Sequence, residues 1–267
     1  MSKLKDSIIW ITGASSGIGE ALSYELSKAG AKLILSARRK EELERVKGNC
    51  DAAAQQHIKI LPLDLTQTDT LALATEAAIQ FFGHIDILIN NGGISQRGLA
   101  KDTLLKVDRQ IMEVNFFGTL ALTKALLPHF MQRKQGHFVV VTSVTGIVGT
   151  PYRSAYAASK HALHGFFDSL RAEHWKDNIH VSLICPGFIH TPITYAALTG
   201  DGTPLNKMDE AQFKGKSPVW LAKKIHKAIV AQKEEVYLGG TKEVSAVYVK
   251  RFFPSLFSKI LRKAKVR

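Results

Sequence analysis

Along this chain, short continuous apolar runs alternate with longer stretches in which apolar residues recur at helical spacing. Residues 7–19, SIIWITGASSGIG, read as a buried strand running into a glycine-rich turn, and Ile18, Leu22, Leu26 and Ala29 then carry a helical period. AKLILSARR, at 31–39, reads as a second strand, and HIKILPLDL, at 57–65, as a third whose end carries Asp64 and Leu65. TDTLALATEAAIQFFG is a helix closed by Gly83, and HIDILINNGG a fourth strand ending in the turn Asn90-Asn91-Gly92-Gly93. EVNFFGTLALTKALLPHFM is a dense apolar helix with the polar Asn115 inside it, and QGHFVVVTS a fifth strand ending at Ser143. SAYAASKHALHGFFDSLRAEH forms a long helix and IHVSLICPG a sixth strand, stopped by Pro186 and Gly187. After SPVWLAKKIHKAIVAQ, a helix, EEVYLGG is the final strand. Residues 190–216 lose periodicity and are rich in Gly, Thr, Pro and Lys, which predicts a mobile loop over a pocket.

Such alternation implies an α/β fold: a mostly parallel, doubly wound sheet with helices on both faces and ligands at the C-terminal ends of the strands. With 267 residues, 45% of them hydrophobic, the chain suits one domain over 1–267. No window has the ~18 continuous apolar residues of a membrane span, and the start leads directly into a strand, so neither a signal peptide nor a spanning helix is expected. Cys50 and Cys185 lack metal-ligand spacing and read as reduced thiols, with the cytoplasm as the expected location. His161 and His164, three apart, have no carboxylate or cysteine at matching spacing, so no metal is expected.

The formal net charge of +13 raises nucleic acid, a membrane surface or an acidic partner as candidates, and its location narrows them. From 244 to 267 there are Lys250, Arg251, Lys259, Arg262, Lys263, Lys265 and Arg267 and no acidic residue. Past Pro254, Leu256, Phe257, Ile260 and Leu261 share a helical face opposite Ser258, Lys259, Arg262 and Lys263. This basic C-terminal extension reads as a helix docked over the substrate pocket or on a neighbouring subunit, with peripheral membrane contact as the alternative. Base-reading motifs are absent, so no nucleic-acid partner is expected.

The candidate chemistry falls at strand ends, or on the helices after them. Tyr156 and Lys160, four apart, lie on one helical face. A nearby ammonium lowers a phenol from its usual pKa of about 10, which predicts an acid or base in Tyr156; the same spacing also arises on solvated helices without chemistry. Ser143 ends a buried strand and would bring its hydroxyl to the same pocket. Gly13, Gly17 and Gly19 permit a tight turn and close approach of phosphate to a helix start, in the spacing Gly-x-x-x-Gly-x-Gly. Ala37 and Arg38 stand at the tip of the second strand, where an acidic residue would repel a 2′-phosphate and an arginine attracts it, so NADP(H) is expected over NAD(H). The competing reading has Arg38 and Arg39 simply opening a solvated, ion-paired helix. Asn115 is either a satisfied buried amide or holds a water or backbone group for the site.

Together, Thr12-Gly13-x-x-x-Gly17-x-Gly19, Asp64, Asn90-Asn91-Gly92-Gly93, Asn115, Ser143, Tyr156-x-x-x-Lys160 and Pro186-Gly187 resemble the short-chain dehydrogenase/reductase family over nearly the full chain. The resemblance implies a Rossmann sheet of about seven strands in the order 3-2-1-4-5-6-7. It implies a catalytic set in which Ser143 orients the carbonyl, Tyr156 transfers the proton, Lys160 depresses its pKa and holds the nicotinamide ribose, and Asn115 anchors a relay water. It also implies a cofactor wall of Gly13, Ser15, Ser16, Gly17, Ile18, Gly19, Arg38, Arg39, Asp64, Leu65, Asn91, Gly92, Tyr156, Lys160, Pro186, Gly187, Ile189 and Thr191, with Asp64 at the adenine and Thr191 at the nicotinamide amide. One departure is visible: Gly92 stands where the family has alanine. Within the family, SARR and the basic, aromatic tail resemble the branch of 11β-hydroxysteroid dehydrogenases and dehydrogenase/reductase members 7 and 7B.

The expected function is therefore NADP(H)-dependent interconversion of a hydrophobic ketone or aldehyde with its alcohol. Alternatives are a 3-oxoacyl-carrier-protein reductase, which a basic surface would suit, and a non-catalytic dinucleotide-binding sensor or scaffold. The dense apolar faces of the Asn115 and Tyr156 helices predict a homodimer or homotetramer.

Overall fold

A computed structural model describes residues 4–263. Seven strands, β1 (Ile8–Thr12), β2 (Lys32–Ser36), β3 (Ile58–Ile60), β4 (Ile87–Asn90), β5 (Gly136–Val141), β6 (Ile179–Pro186) and β7 (Glu235–Leu238), form one parallel sheet in the order β3-β2-β1-β4-β5-β6-β7. The chain winds outward from β1 to β3, then returns to β1's other side with β4. That reversal opens a crevice at the C-terminal ends of β1 and β4.

Among the described residues, eleven α-helices, α1 (Gly17–Lys28), α2 (Lys40–Gly48), α3 (Ala52–Gln55), α4 (Leu71–Gln80), α5 (Leu105–Met112), α6 (Gly118–Arg133), α7 (Ser154–Glu173), α8 (Glu210–Phe213), α9 (Pro218–Val230), α10 (Thr241–Phe252) and α11 (Pro254–Lys263), accompany the strands. β1 explains why both faces of the sheet must be covered. All five of its residues are buried, as its uninterrupted apolar run requires. Alternation then sends Ile9 and Ile11 into a core with Leu22 and Leu26 of α1 and Ile225 and Ile229 of α9. Ile8 and Trp10 enter the opposite core with Phe130 of α6, Phe138 of β5 and Phe167 of α7. Trp10 keeps its indole N–H satisfied inside that core by donating to Ser36 Oγ at 2.8 Å.

Three boundaries differ from the sequence pattern. Regular pairing of β3 stops at Ile60, although Leu61 and Leu63 still donate to Leu35 and Ala37, each at 3.0 Å; Pro62 between them is tolerated because β3 is the edge strand and the missing N–H falls on its free side. The helix expected from 68 opens as a 3-10 turn, Thr68–Thr70, before α4. The Asn115 helix begins earlier, at α5, and Glu113–Phe117 between α5 and α6 is a π-helical turn.

Phe130 is fully buried with its ring 4.8 Å from that of Phe138, so Phe130→Ala is expected to cost ~3–5 kcal/mol of unfolding free energy. Leu73, 69% exposed on α4, is the contrast: Leu73→Ala should stay within about 0.5 kcal/mol. Urea unfolding of the two variants checks both values.

Candidate active site

A cleft of about 1040 Å³ runs along the C-terminal ends of the strands, from the β2 tip past β1 and β4 to the start of α7. One end is built by the glycine turn. Gly13 and Gly17 have φ of +65° and +59°, a left-handed backbone that side chains disfavour. A Cβ on Gly19 would stand 2.2 Å from the Gly13 carbonyl oxygen, so Gly19 permits the packing of α1 rather than lining the cleft itself. Ser16, in extended backbone, leads into α1 without capping it through its side chain. The first-turn N–H groups therefore face the cleft with the positive end of the helix dipole behind them, a cradle suited to a diphosphate.

The turn after β4 is locked to this cradle. Thr12 Oγ1 accepts the N–H groups of Asn91 and Gly92, each at 3.0 Å, and Asn91 Nδ2 donates to the carbonyls of Thr12 (2.9 Å) and Gly13 (3.2 Å). A Cβ on Gly92 would stand 2.8 Å from Leu65 Cδ1, so the leucine fills the room that the family's alanine would need. Asn90, by contrast, faces away from the cleft and donates to Thr123 Oγ1 at 3.1 Å.

Arg38 and Arg39 are exposed at the cleft end beyond β2 and make no ion pair among the described residues. The ion pairing expected of that helix falls to Arg45, which holds Glu20 at 2.7 Å and Glu42 at 2.8 Å. Asp64 lines the cleft while its Oδ1 accepts the N–H and hydroxyl of Thr66. Ser15, Ile18, Pro186, Gly187, Ile189 and Thr191 also lie on the wall. The ends of the cleft thus offer a phosphate cradle, two unpaired cations and an acidic residue, a donor set that fits a dinucleotide.

At the other end, Ser143 follows β5 and its Oγ accepts Thr145 N–H at 3.1 Å while donating to Pro186 O at 3.3 Å. Tyr156 lines the same wall, half-buried, in the first turn of α7. Burial pushes its phenol above the usual range, opposed by the Ser143 hydroxyl and by the positive charges of Arg97 and Arg153. Lys160 Nζ donates to Val141 O at 2.9 Å and stands 5.9 Å from the centre of the Tyr156 ring. One helical turn brings the ammonium over the ring, and burial pushes its own pKa down to about 8.

Asn115 falls under the first of the two readings given above. The π-helical turn aims its side chain at the strand extension after β4, where Oδ1 accepts Ile94 N–H at 2.8 Å and Nδ2 donates to Ile94 O and Ser159 Oγ. It is the satisfied buried amide, stitching residue 94 to α7.

Sequence reasoning missed Gln96, Arg97, Arg153 and Asp209. Gln96 is fully buried and its Oε1 accepts the N–H groups of Ala155 and Tyr156, capping α7 from across the cleft. Arg97 Nε and Arg153 Nη2 both donate to Asp209 Oδ2, at 2.5 and 3.2 Å. Arg97 and Asp209 are 112 positions apart, and no local spacing could have paired them. Tertiary structure likewise gathers His164, Cys185 and Glu235, whose ligand atoms lie within 4.8 Å of one another. Burial pushes the Cys185 thiol up to about 12, so it remains protonated. The tail places Phe257, Ile260 and Leu261 of α11 on the cleft wall, and Val247 of α10 packs on Val144 and Val148. Lys265 and Arg267 lie outside the described residues. No described helix is long and apolar enough to cross a membrane.

The depressed Lys160 ammonium has a direct readout. In ¹³C NMR of the reductively methylated protein, the Lys160 signal, assigned with Lys160→Met, should titrate near 8.

Comparison with known proteins agrees with this geometry. The short chain dehydrogenase family profile matches residues 7–201. Dehydrogenase/reductase SDR family protein 7-like of Anopheles gambiae is 47% identical over 97% of this chain and 83% of that protein. Dehydrogenase/reductase SDR family member 7B of Mus musculus is 41% identical over 97% of this chain and 81% of that protein. Among solved structures, a short-chain dehydrogenase from Streptomyces avermitilis superposes with a TM-score of 0.81 at 26% identity, covering 97% of this chain and 98% of the other. The sheet order, the glycine cradle and the full-length relatives lead to one conclusion: this chain is an oxidoreductase of the short-chain dehydrogenase/reductase family.

Proposed function

We propose that this oxidoreductase uses NADP(H) to interconvert a hydrophobic ketone or aldehyde and its alcohol, with Tyr156 as the general acid and base. The observation that carries the reading is the sharing of one cleft by the phosphate cradle, the Arg38–Arg39 pair and the Ser143–Tyr156 hydroxyls. When bound, the nicotinamide supplies or accepts the hydride. Gly13, Ser15, Ser16 and Gly17 would hold the diphosphate against the start of α1, Arg38 and Arg39 the 2′-phosphate, and Asp64 the adenine end.

The reaction's proton is the protein's responsibility. In reduction, the Tyr156 hydroxyl donates its proton to the carbonyl oxygen while the Ser143 hydroxyl donates a hydrogen bond to the same atom. Ser143's present bond to Pro186 O is long, at 3.3 Å, so the hydroxyl is readily turned toward a substrate oxygen. Raised by burial, the phenol is protonated near neutrality and ready to act as an acid. Lys160, buried at the base of the site, is poised to hold the ribose hydroxyls. Asn115 contributes by fixing residue 94 and, through Ser159, the backbone of Tyr156, since Ser159 Oγ donates to Tyr156 O at 2.8 Å.

Substrate character follows from the remaining wall. Phe188, Ile193, Val249, Phe257, Ile260 and Leu261 face the cleft and would exclude water from an apolar substrate. α11 in this reading is a lid whose apolar face closes the substrate end. Leu105 and Phe117, 62% and 48% exposed beside the Asn115 turn, support association of the chain with a second copy through that side.

Two measurements test the proposal. NADPH and NADH oxidation against cyclic ketones, aromatic aldehydes and 3-oxoacyl thioesters should give turnover that Tyr156→Phe abolishes while cofactor affinity stays nearly intact; retained turnover refutes the role. Arg38→Ala with Arg39→Ala should raise KM for NADPH by about tenfold or more, as loss of charged hydrogen bonds predicts, and leave that for NADH nearly unchanged.

A further inference from the structure

α7 begins without a side-chain cap of its own. Arg153 stands at the cap position, with φ of −137° and ψ of 33°, and its side chain makes no capping hydrogen bond. Ala157 N–H donates to Arg153 O at 2.7 Å, within the helix, so the N–H groups of Ala155 and Tyr156 need an acceptor from outside it. Gln96 supplies one from 59 positions away: its Oε1 accepts Ala155 N–H at 2.9 Å and Tyr156 N–H at 3.4 Å. Backbone N–H groups can only donate, which fixes the orientation of the amide. Its Nε2 then donates to Thr103 Oγ1 at 3.1 Å, and that hydroxyl donates to Leu99 O at 2.9 Å. Gln96 is fully buried and lies behind the cleft wall, where it touches neither substrate nor cofactor.

The segment that carries Gln96 is itself held from several sides. Asn115 binds both the N–H and the carbonyl of Ile94. Arg97 N–H donates to Leu198 O at 2.8 Å and Leu198 N–H to Ser95 O at 2.9 Å, while Gly98 N–H donates to Tyr152 O at 3.1 Å. Residues 94–98 thereby join the π-helical turn, the 190–216 segment and the approach to α7. Most helices carry a local Ser, Thr, Asp or Asn that fixes their start, whereas the start of α7 is fixed by this distant segment. Tyr156 is then held at both backbone groups, its N–H by Gln96 and its carbonyl by Ser159 Oγ at 2.8 Å. From there the rigid ring extends through only two side-chain torsions, so any shift of the first turn is carried to the hydroxyl.

We propose that Gln96 is a positioning residue for the proton transfer, its amide oxygen holding the first turn of α7 where the Tyr156 hydroxyl meets the substrate oxygen. This rests on the reading of Tyr156 as the acid and base. The geometry asks for an acceptor oxygen at the end of a side chain of this length. Glutamate keeps that oxygen, and its negative charge suits a helix start. Methionine keeps the length without the acceptor, and asparagine keeps the amide on a side chain one methylene shorter. Proton transfer tolerates little displacement, since a misplacement of about 1 Å costs on the order of a hundredfold in rate.

The test uses the full-length protein with NADPH and, from the cyclic ketones, aromatic aldehydes and 3-oxoacyl thioesters, the carbonyl that the parent reduces fastest. In single turnover, Gln96→Met should slow NADPH oxidation by about tenfold or more while KM for NADPH stays within about twofold. Gln96→Glu should recover most of that rate. If Gln96→Met fails to fold, Gln96→Asn takes its place with the same expectation. Amide hydrogen exchange of the NADPH complex adds a readout that needs no substrate. There, Ala155 and Tyr156 N–H should exchange about fivefold faster or more in Gln96→Met, as loss of a helix cap predicts, and near the parent rate in Gln96→Glu. Faster exchange with an unchanged turnover rate reduces Gln96 to a brace of the helix and overturns the proposal. Unchanged exchange, equal losses in Gln96→Met and Gln96→Glu, or a KM for NADPH that rises in step with the loss of rate overturn it as well. No turnover by the parent on any of the carbonyls, or retained turnover in Tyr156→Phe, sinks the underlying reading instead, so the two failures are told apart.

Discussion

The Thr12 hydroxyl joins the two loops on which the cleft depends. β1 and β4 are neighbours in the sheet, yet their ends lead the chain in different directions, and without a tie the crevice between them would have no fixed width. Thr12 Oγ1 supplies that tie by accepting two N–H groups of the opposite turn, and Asn91 returns the bond to the Thr12 and Gly13 carbonyls. The glycines then have a defined purpose. Gly13 and Gly17 allow the left-handed path that keeps the helix start open, and Gly92 leaves space for Leu65. Cofactor geometry in this family member is a consequence of backbone polar groups finding partners across a strand pair.

At the other end of the cleft the governing quantity is burial. A phenol removed from water becomes harder to ionise, an ammonium harder to keep charged, and the two effects work against each other in Tyr156 and Lys160. Lys160 therefore brings its charge to the ring against the desolvation of both groups. Arg97 and Arg153 meet on one oxygen of the buried Asp209 carboxylate.

The same principle separates the two readings of Asn115. Inside an apolar helix an unpaired amide is expensive, so the side chain must find partners, and the π-helical turn rotates it toward Ile94 and Ser159. With the amide buried, the hydroxyls on the open wall are those of Ser143 and Tyr156. The C-terminal helices complete that wall from a direction far away in sequence, with Phe257, Ile260 and Leu261 opposite the strand ends.

What the sequence by itself determined was everything that rests on short-range periodicity. Runs such as IIWIT and FVVV can be satisfied only as buried strands, the glycine spacing only as a tight strand-to-helix turn, and Tyr156 with Lys160 only as one helical face, so sheet order, cradle and hydroxyl wall were legible from local pattern and the family it resembles. Tertiary structure decided the rest. Asp209 meets Arg97 from 112 positions away, Gln96 caps a helix that starts 58 residues later (154 − 96), and His164 meets Cys185 and Glu235, none of which leaves a periodic trace. Proton affinity belongs to that second class, because it depends on how much water and how much charge surround a group, and those are set by segments that only folding brings together.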